Sequence, residues 1–196
     1  MMNIEQLKLV LVGVGGQGTI LASDILSDWA LRRGLDVKKA EVHGMSQRGG
    51  SVTSHVSWGE QVFSPIIPKG QADVLVSFER LEAGRFAEFL KPGGLVVIND
   101  YAIEPLSVQS GSVYPSNDAL QKVLGQFTDR IVWVPALTLA EQLGNAKAAN
   151  VVLLGALIRK LGIPLEEVRG ILEFRVPPKH LELNKKALEA GFNAAN

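Results

Sequence analysis

Residues 9–26 read "LVLVGVGGQGTILASDIL": an apolar run, a glycine-rich break, then a helical rhythm. The continuous aliphatic stretch Lys8 to Val12 suits a strand buried on both faces. After the glycines, Ile20-Leu21, Asp24-Ile25, Asp28-Trp29 and Arg32-Arg33 recur at helical spacing until Gly34. Val37 to Val42 reads as a second strand, which makes the opening a β-α-β unit of about 30 residues.

The break itself, Gly13-Val14-Gly15-Gly16-Gln17-Gly18, spells G-x-G-x-x-G. Gly13 permits a tight turn and Gly15 lets main chain approach a bulky anion. Gly18 allows the helix to pack close to the strand, and the helix N-terminus presents N–H groups with a partial positive charge. Two readings stand: a phosphate or carboxylate site, or glycines that only shape a strand–helix turn. A nicotinamide dinucleotide site further needs an acidic residue closing the second strand, about 20 residues on. Glu41 is the candidate, but a polar loop follows it where a second helix is usual.

Outward from this unit, "SVTSHVSWGEQVFSP" alternates, with Val52, Ser54, Val56 and Trp58 on one side and Ser51, Thr53, His55 and Ser57 on the other. Gly59-Glu60 is a candidate turn into Gln61-Val62-Phe63, so a hairpin is expected, ended by Pro65 and Pro68. Then come a strand in "ADVLVSF", a helix from Glu79 to Leu90, a strand from Leu95 to Ile98, a helix near Asn117 to Phe127 and a strand from Arg130 to Val134. Helices follow over Leu137 to Leu143, Ala148 to Leu161, Leu165 to Phe174, and after Pro178. Strand–helix alternation makes the class α/β, with a mostly parallel sheet, one inserted β-hairpin and C-terminal helices. One domain over residues 1–196 is expected, since the chain suits one well-buried core.

The loop "HGMSQRGG", residues 43–50, sets His43, Ser46, Gln47 and Arg48 beside Gly49 and Gly50 where a strand ends, the edge at which ligands collect in open α/β sheets. Arg48 is a fork for phosphate or carboxylate, and His43 is the nearby group that titrates near neutrality. A solvated loop is the competing reading. His55 is expected on the hairpin's polar face, exposed or paired, and His180 at the start of the last helix. Ser23, Ser46 and Ser54 have no companions that mark a hydrolase.

Lys plus Arg and Asp plus Glu both number 20, so no net field points to nucleic acid or anionic lipid. The absence of Cys excludes disulfides and cysteine-ligated clusters on this chain, and its three His have no metal-ligand spacing. The N-terminus lacks signal-peptide features, and "AANVVLLGALI" is shorter than the roughly 20 residues a bilayer span needs. A soluble cytoplasmic protein without membrane contact is expected. Its mean hydropathy of +0.16 and the uncharged stretch Ala148 to Ile158 suggest apolar surface for self-association or a partner chain.

"VGVGGQGTILAS", "EVHGMSQRGGSVTSHVSWG", "SPIIPKGQADVLVSFE", "KPGG", "NAKAANVVLLGAL" and "VPPKHLELNKKALEAGF" occur in that order and cover nearly the whole chain. Together they resemble the gamma subunits of the 2-oxoacid:ferredoxin (acceptor) oxidoreductases, the pyruvate/ketoisovalerate oxidoreductase gamma family. "HGMSQRGGSV" lies closest to the small subunits of the indolepyruvate branch. The resemblance implies a Rossmann-like domain packed on a larger catalytic subunit that carries thiamine diphosphate, Mg²⁺ and iron–sulfur clusters. It implies CoA-dependent oxidative decarboxylation of a 2-oxoacid, indolepyruvate or another aryl-pyruvate first, with ferredoxin taking the electrons. It assigns this chain no catalytic residue, no metal and no cofactor of its own. The glycine turn is expected to serve subunit packing and coenzyme A rather than NAD, and the candidate cofactor-binding residues are Gly13, Gly15, Gly16, Gln17, Gly18, His43, Ser46, Gln47, Arg48 and Gly49. Related enzymes carry Lys in the loop where this chain has Gln47 and Arg48, which separates this loop from the family pattern. The alternatives are a self-contained NAD(P)-binding oxidoreductase and a nucleotide-binding regulatory module.

Overall fold

A computed structural model describes residues 2–43, 50–104 and 113–195. Its centre is a six-stranded sheet in the order β2-β3-β1-β4-β5-β6. The strands are β1 (Leu7–Val14), β2 (Asp36–His43), β3 (Ser51–Gly59), β4 (Ala72–Ser77), β5 (Leu90–Asn99) and β6 (Ile131–Val134). Strands β1, β4, β5 and β6 are parallel neighbours, whereas β3 runs antiparallel to both β1 and β2. The helices are α1 (Thr19–Arg32), α2 (Arg80–Arg85), α3 (Asn117–Leu124), α4 (Ala136–Gln142), α5 (Ala149–Leu161), α6 (Leu165–Arg175) and α7 (Pro178–Ala194).

The β1 pleat sorts its side chains between two cores, as period-two alternation requires. Leu7, Leu9 and Leu11 join Val74, Val76 and Val97 under α1 and the C-terminal helices, while Val10 and Val12 join Leu75, Val96 and Ile98 under α2 and α3. Both faces are covered, which is why β1 has no polar alternation. Trp29 and Trp58 meet edge-on at 5.8 Å, and each indole N–H donates, to Glu167 Oε2 and to the Ile4 carbonyl respectively.

The inserted hairpin is present, but it joins different strands from those expected. Gln61-Val62-Phe63 form no strand; β3 has β2 on one side and β1 on the other, so neither edge is free for them. The Val62 N–H instead donates to Asp36 Oδ2 at 2.9 Å. The hairpin is β2–β3, in register from Asp36 opposite Gly59 to His43 opposite Val52. His55 is buried, a correction to the polar-face reading. Its Nδ1 accepts the Ile67 N–H at 3.1 Å, Phe89 packs edge-on against its ring, and burial lowers its pKa.

The expected helix from Glu79 to Leu90 is shorter: α2 ends at Arg85, and a single 3-10 turn, Ala87–Phe89, leads into β5. His180 is exposed in the first turn of α7, as expected. The uncharged stretch Ala148 to Ile158 is not a surface patch. In α5, Val151 to Ile158 are all buried, and α7 lies directly against them. Apolar composition there reflects a helix inside a helical layer, hydrophobic all round for that reason. No helix among the described residues is long and apolar enough to cross a membrane.

Candidate functional site

The carboxyl ends of β1, β4 and β5 converge on a cleft of about 450 Å³ lined by Gly16, Gln17, Gly18, Phe78, Asn99, Tyr101, Lys147 and Asn150 among others. This is the edge of an open α/β sheet where ligands bind, with the N-terminus of α1 opening onto it. A larger hollow of about 680 Å³ lies at the opposite ends of these strands, beside Lys8, Asp73, Lys91 and Arg130. Its polar groups largely satisfy one another: Asp73 accepts the Lys8 N–H at 2.7 Å and pairs with the Lys91 ammonium. The strand-end cleft is therefore the better candidate.

Gln17 builds the glycine turn from inside. Its Oε1 accepts the Val14 N–H at 2.7 Å and its Nε2 donates to the Phe78 carbonyl at 2.9 Å, tying the end of β1 to the end of β4. Asn99, buried at the end of β5, donates to the same carbonyl at 3.2 Å and accepts the Ala136 N–H at 3.1 Å. A Cβ at Gly13 would lie 2.8 Å from Gln17 Oε1 and 2.9 Å from Phe78 Cβ, so Gly13 is required by packing. The Gly15 N–H donates to the Gly50 carbonyl at 2.9 Å, which joins the turn to the start of β3.

Gly18 has φ +82, and a Cβ there would stand 2.2 Å from Asn150 Nδ2. Both the left-handed backbone and the approach of α5 demand glycine at this position. No side chain caps the first turn of α1 and no acidic residue stands in it. Its amides therefore keep their partial positive charge on the cleft side. Lys147 lines the same cleft, and among the described residues its ammonium has no ion-pair partner.

Next to the cleft lies a buried acidic network that the sequence reading missed. Glu79, 1% exposed, accepts the Glu82 and Ile103 N–H groups, each at 3.0 Å, and the Tyr114 hydroxyl. The Tyr114 oxygen in turn accepts the Leu81 N–H at 3.1 Å. Burial raises the Tyr114 pKa, and its hydrogen bond to Glu79 raises it further, so the phenol stays protonated and donating. Glu82, also buried, accepts from Ser51 and pairs with Arg85 at 2.7 Å. The signal was a Glu directly after the buried run "VLVSF", an N-cap residue outside the usual Ser/Thr/Asp/Asn set.

The other sequence candidates separate from the turn. Glu41 pairs with Lys39 at 2.7 Å on β2, and β3 stands between β2 and β1. Two strand spacings, about 9–10 Å, replace the single spacing of a dinucleotide fold, which takes Glu41 out of reach of a ribose seated at the turn. His43 ends β2 with its backbone opposite Val52. Ser46, Gln47, Arg48 and Gly49 lie outside the described residues. Among the described residues, no group of His, Asp or Glu is arranged to hold a metal ion.

Comparison with known proteins fits this arrangement. The family described as pyruvate ferredoxin/flavodoxin oxidoreductase matches residues 8–194. The chain belongs to that family. Within it, the chain is 42% identical over 196 residues to the indolepyruvate oxidoreductase subunit IorB of Thermococcus kodakarensis, covering 98% of this chain and 97% of that one. It is 41% identical to the IorB subunit of Pyrococcus horikoshii, with the same coverage. The gamma subunit of a keto/oxoacid ferredoxin oxidoreductase from Geobacter sulfurreducens superposes with a TM-score of 0.71 at 25% identity, covering 96% of this chain and 98% of that chain. As a gamma-type member of the pyruvate ferredoxin/flavodoxin oxidoreductase family, the chain is one subunit of a multi-subunit, ferredoxin-linked enzyme.

Proposed function

We propose that this chain, acting as one gamma-type unit over residues 1–196, serves a complex that oxidatively decarboxylates a 2-oxoacid, indolepyruvate or another aryl-pyruvate. In this reading a larger catalytic subunit holds thiamine diphosphate, Mg²⁺ and the iron–sulfur clusters, coenzyme A accepts the acyl group, and ferredoxin accepts the electrons. The observation that carries it is the identity of 42% to an indolepyruvate oxidoreductase subunit along almost the full length of both chains. The residues of this chain do not fit the redox groups themselves: there is no Cys to ligate a cluster. Thiamine chemistry is the cofactor's own, and this chain's part is positioning.

The strand-end cleft supplies that positioning in the proposal. The uncapped α1 amides beside Gly16 and Gly18, with Lys147, form a cationic lining for a phosphate of coenzyme A. Contact of coenzyme A with His43, Ser46, Gln47, Arg48 and Gly49 belongs to the same proposal on the sequence alone. Gln17 and Asn99 hold this lining in shape and touch no substrate. The chain alone has no activity in this reading.

Lys147→Glu, introduced into the assembled complex, tests the assignment. The expected result is an increase of about tenfold or more in KM for coenzyme A with kcat little changed, because a charge-assisted contact of about 1.5–3 kcal/mol is replaced by repulsion. An unchanged KM would remove coenzyme A from this cleft. Saturable NADH binding by the wild-type chain, abolished by Gly18→Val, would favour a nicotinamide enzyme instead.

A further inference from the structure

Strand β2 is the outer strand of the sheet, eight residues long, and among the described residues it packs mainly against β3 and α1, with Asp36 also accepting the Val62 N–H. All of its described side chains are at least partly exposed, and Val42 is 52% exposed. Among the described residues no strand lies beside its outer edge, so that edge is open to another strand. We propose that a second copy of this chain pairs antiparallel with this edge, centred on Ala40, and joins the two six-stranded sheets into one.

The register follows from symmetry and charge. Residues opposed across an antiparallel pair point to the same face, and successive pairs alternate between hydrogen-bonded and non-hydrogen-bonded types. A two-fold axis between identical strands must therefore pass through a residue facing its own copy, never between two residues. In "DVKKAEVH", Asp36 to His43, a centre on Lys38, Lys39 or Glu41 sets like charges face to face. A centre on Val37 or Val42 leaves about three residues paired, too few for a stable ladder. A centre on Ala40 sets the smallest side chain of the strand on the axis. It opposes Lys39 to the second copy's Glu41 twice over, and Val37 to His43, and Lys38 to Val42.

Lys39 lies 2.5 Å from Asp24 and 2.7 Å from Glu41, so its ammonium is already held on the α1 face of the strand. A second copy's Glu41 would join that cluster on the same face. Lysines on an edge ordinarily block strand addition. Here they block every long register except the one in which each meets a carboxylate or an apolar neighbour. The edge is selective for its own sequence.

The test uses the full chain, whose lack of cysteine makes an introduced thiol unique. Sedimentation equilibrium of the wild type is expected to show a dimer. Ala40→Cys is expected to form a disulfide-linked dimer under mild oxidation, because directly opposed Cα atoms in such pairs lie about 4.5–5.5 Å apart, within disulfide range. Val42→Cys, opposite Lys38 in the second copy, is expected to cross-link at least about tenfold less. Ala40→Lys and Ala40→Glu should each be monomeric, and an equimolar mixture should dimerise again, which only a register centred on residue 40 allows. A monomeric wild type would overturn the proposal, leaving this edge to another subunit. So would a dimer that survives in both charged variants, or equal cross-linking from positions 40 and 42.

Discussion

Gly191→Ala is expected to lower stability by about 3 kcal/mol or more in urea unfolding, the upper end of what overpacking a core costs. A Cβ at Gly191 would stand 1.8 Å from the Val152 carbonyl oxygen, and one at Gly155 would stand 2.1 Å from the Leu188 carbonyl oxygen. These contacts are with backbone, so no rotamer change relieves them, and α7 must withdraw from α5. That withdrawal would uncover the side of α5 that carries Val152 and Gly155, inside the larger core. Gly170→Ala in α6 is the control. A Cβ there meets nothing within 4 Å, and replacing a helical glycine at an open position should stabilise by about 0.5–1 kcal/mol. The two alanines should thus move the urea midpoint in opposite directions. Equal, small effects would mean that the two helices do not cross this closely.

Glu79→Ala carries the second large effect. It would strand the Glu82 and Ile103 N–H groups and the Tyr114 hydroxyl around a site that is 1% exposed. Each buried donor without an acceptor costs about 1–3 kcal/mol, so a loss of about 3–5 kcal/mol is expected. Tyr114→Phe removes one donor to Glu79 and the acceptor of the Leu81 N–H, for about 1–2 kcal/mol. The two changes should couple in a double-mutant cycle, because they act on one network. Strict additivity would show that Tyr114 and Glu79 do not interact. The network matters to the cleft because Glu79 follows Phe78, whose carbonyl receives both Gln17 and Asn99. Loosening Glu79 would loosen the joint between the three strand ends.

What the sequence made legible tracks how local the determining physics is. The glycine turn, α1 and the C-terminal helices were readable because helical spacing and positive-φ glycines act over a few residues. The order β2-β3-β1 was not, since antiparallel insertion of β3 between two parallel strands is settled by pairing over the whole hairpin. The same insertion explains His55: alternation usually marks one wet face, but β3 has Val56 and Trp58 in one core while His55 lies under Ile67 and Phe89. Ala148 to Ile158 looked like surface because composition does not say what covers a helix. The covering element, α7, is marked in the sequence only by Gly155 and Gly191. At the cleft, the glycines and Gln17 were singled out as candidate binding residues, while the part Gln17 plays in tying the ends of β1 and β4 together was not legible, because Phe78 is distant in sequence. Lys147 and Asn150 were quoted within a motif but given no role, since nothing in their neighbourhood shows that α5 returns to the tip of α1.

In the function proposed here, the chemistry belongs to an assembly in which this chain is the positioning subunit. The most direct measurement is anaerobic affinity purification of the tagged full chain from its own source, followed by native mass spectrometry with thiamine and iron assays. The expected result is a complex with a larger, cysteine-rich chain, containing thiamine diphosphate and iron and reducing ferredoxin with an aryl-pyruvate and coenzyme A. Recovery of the chain free of any thiamine- or iron-containing partner, at low and high salt alike, would contradict it.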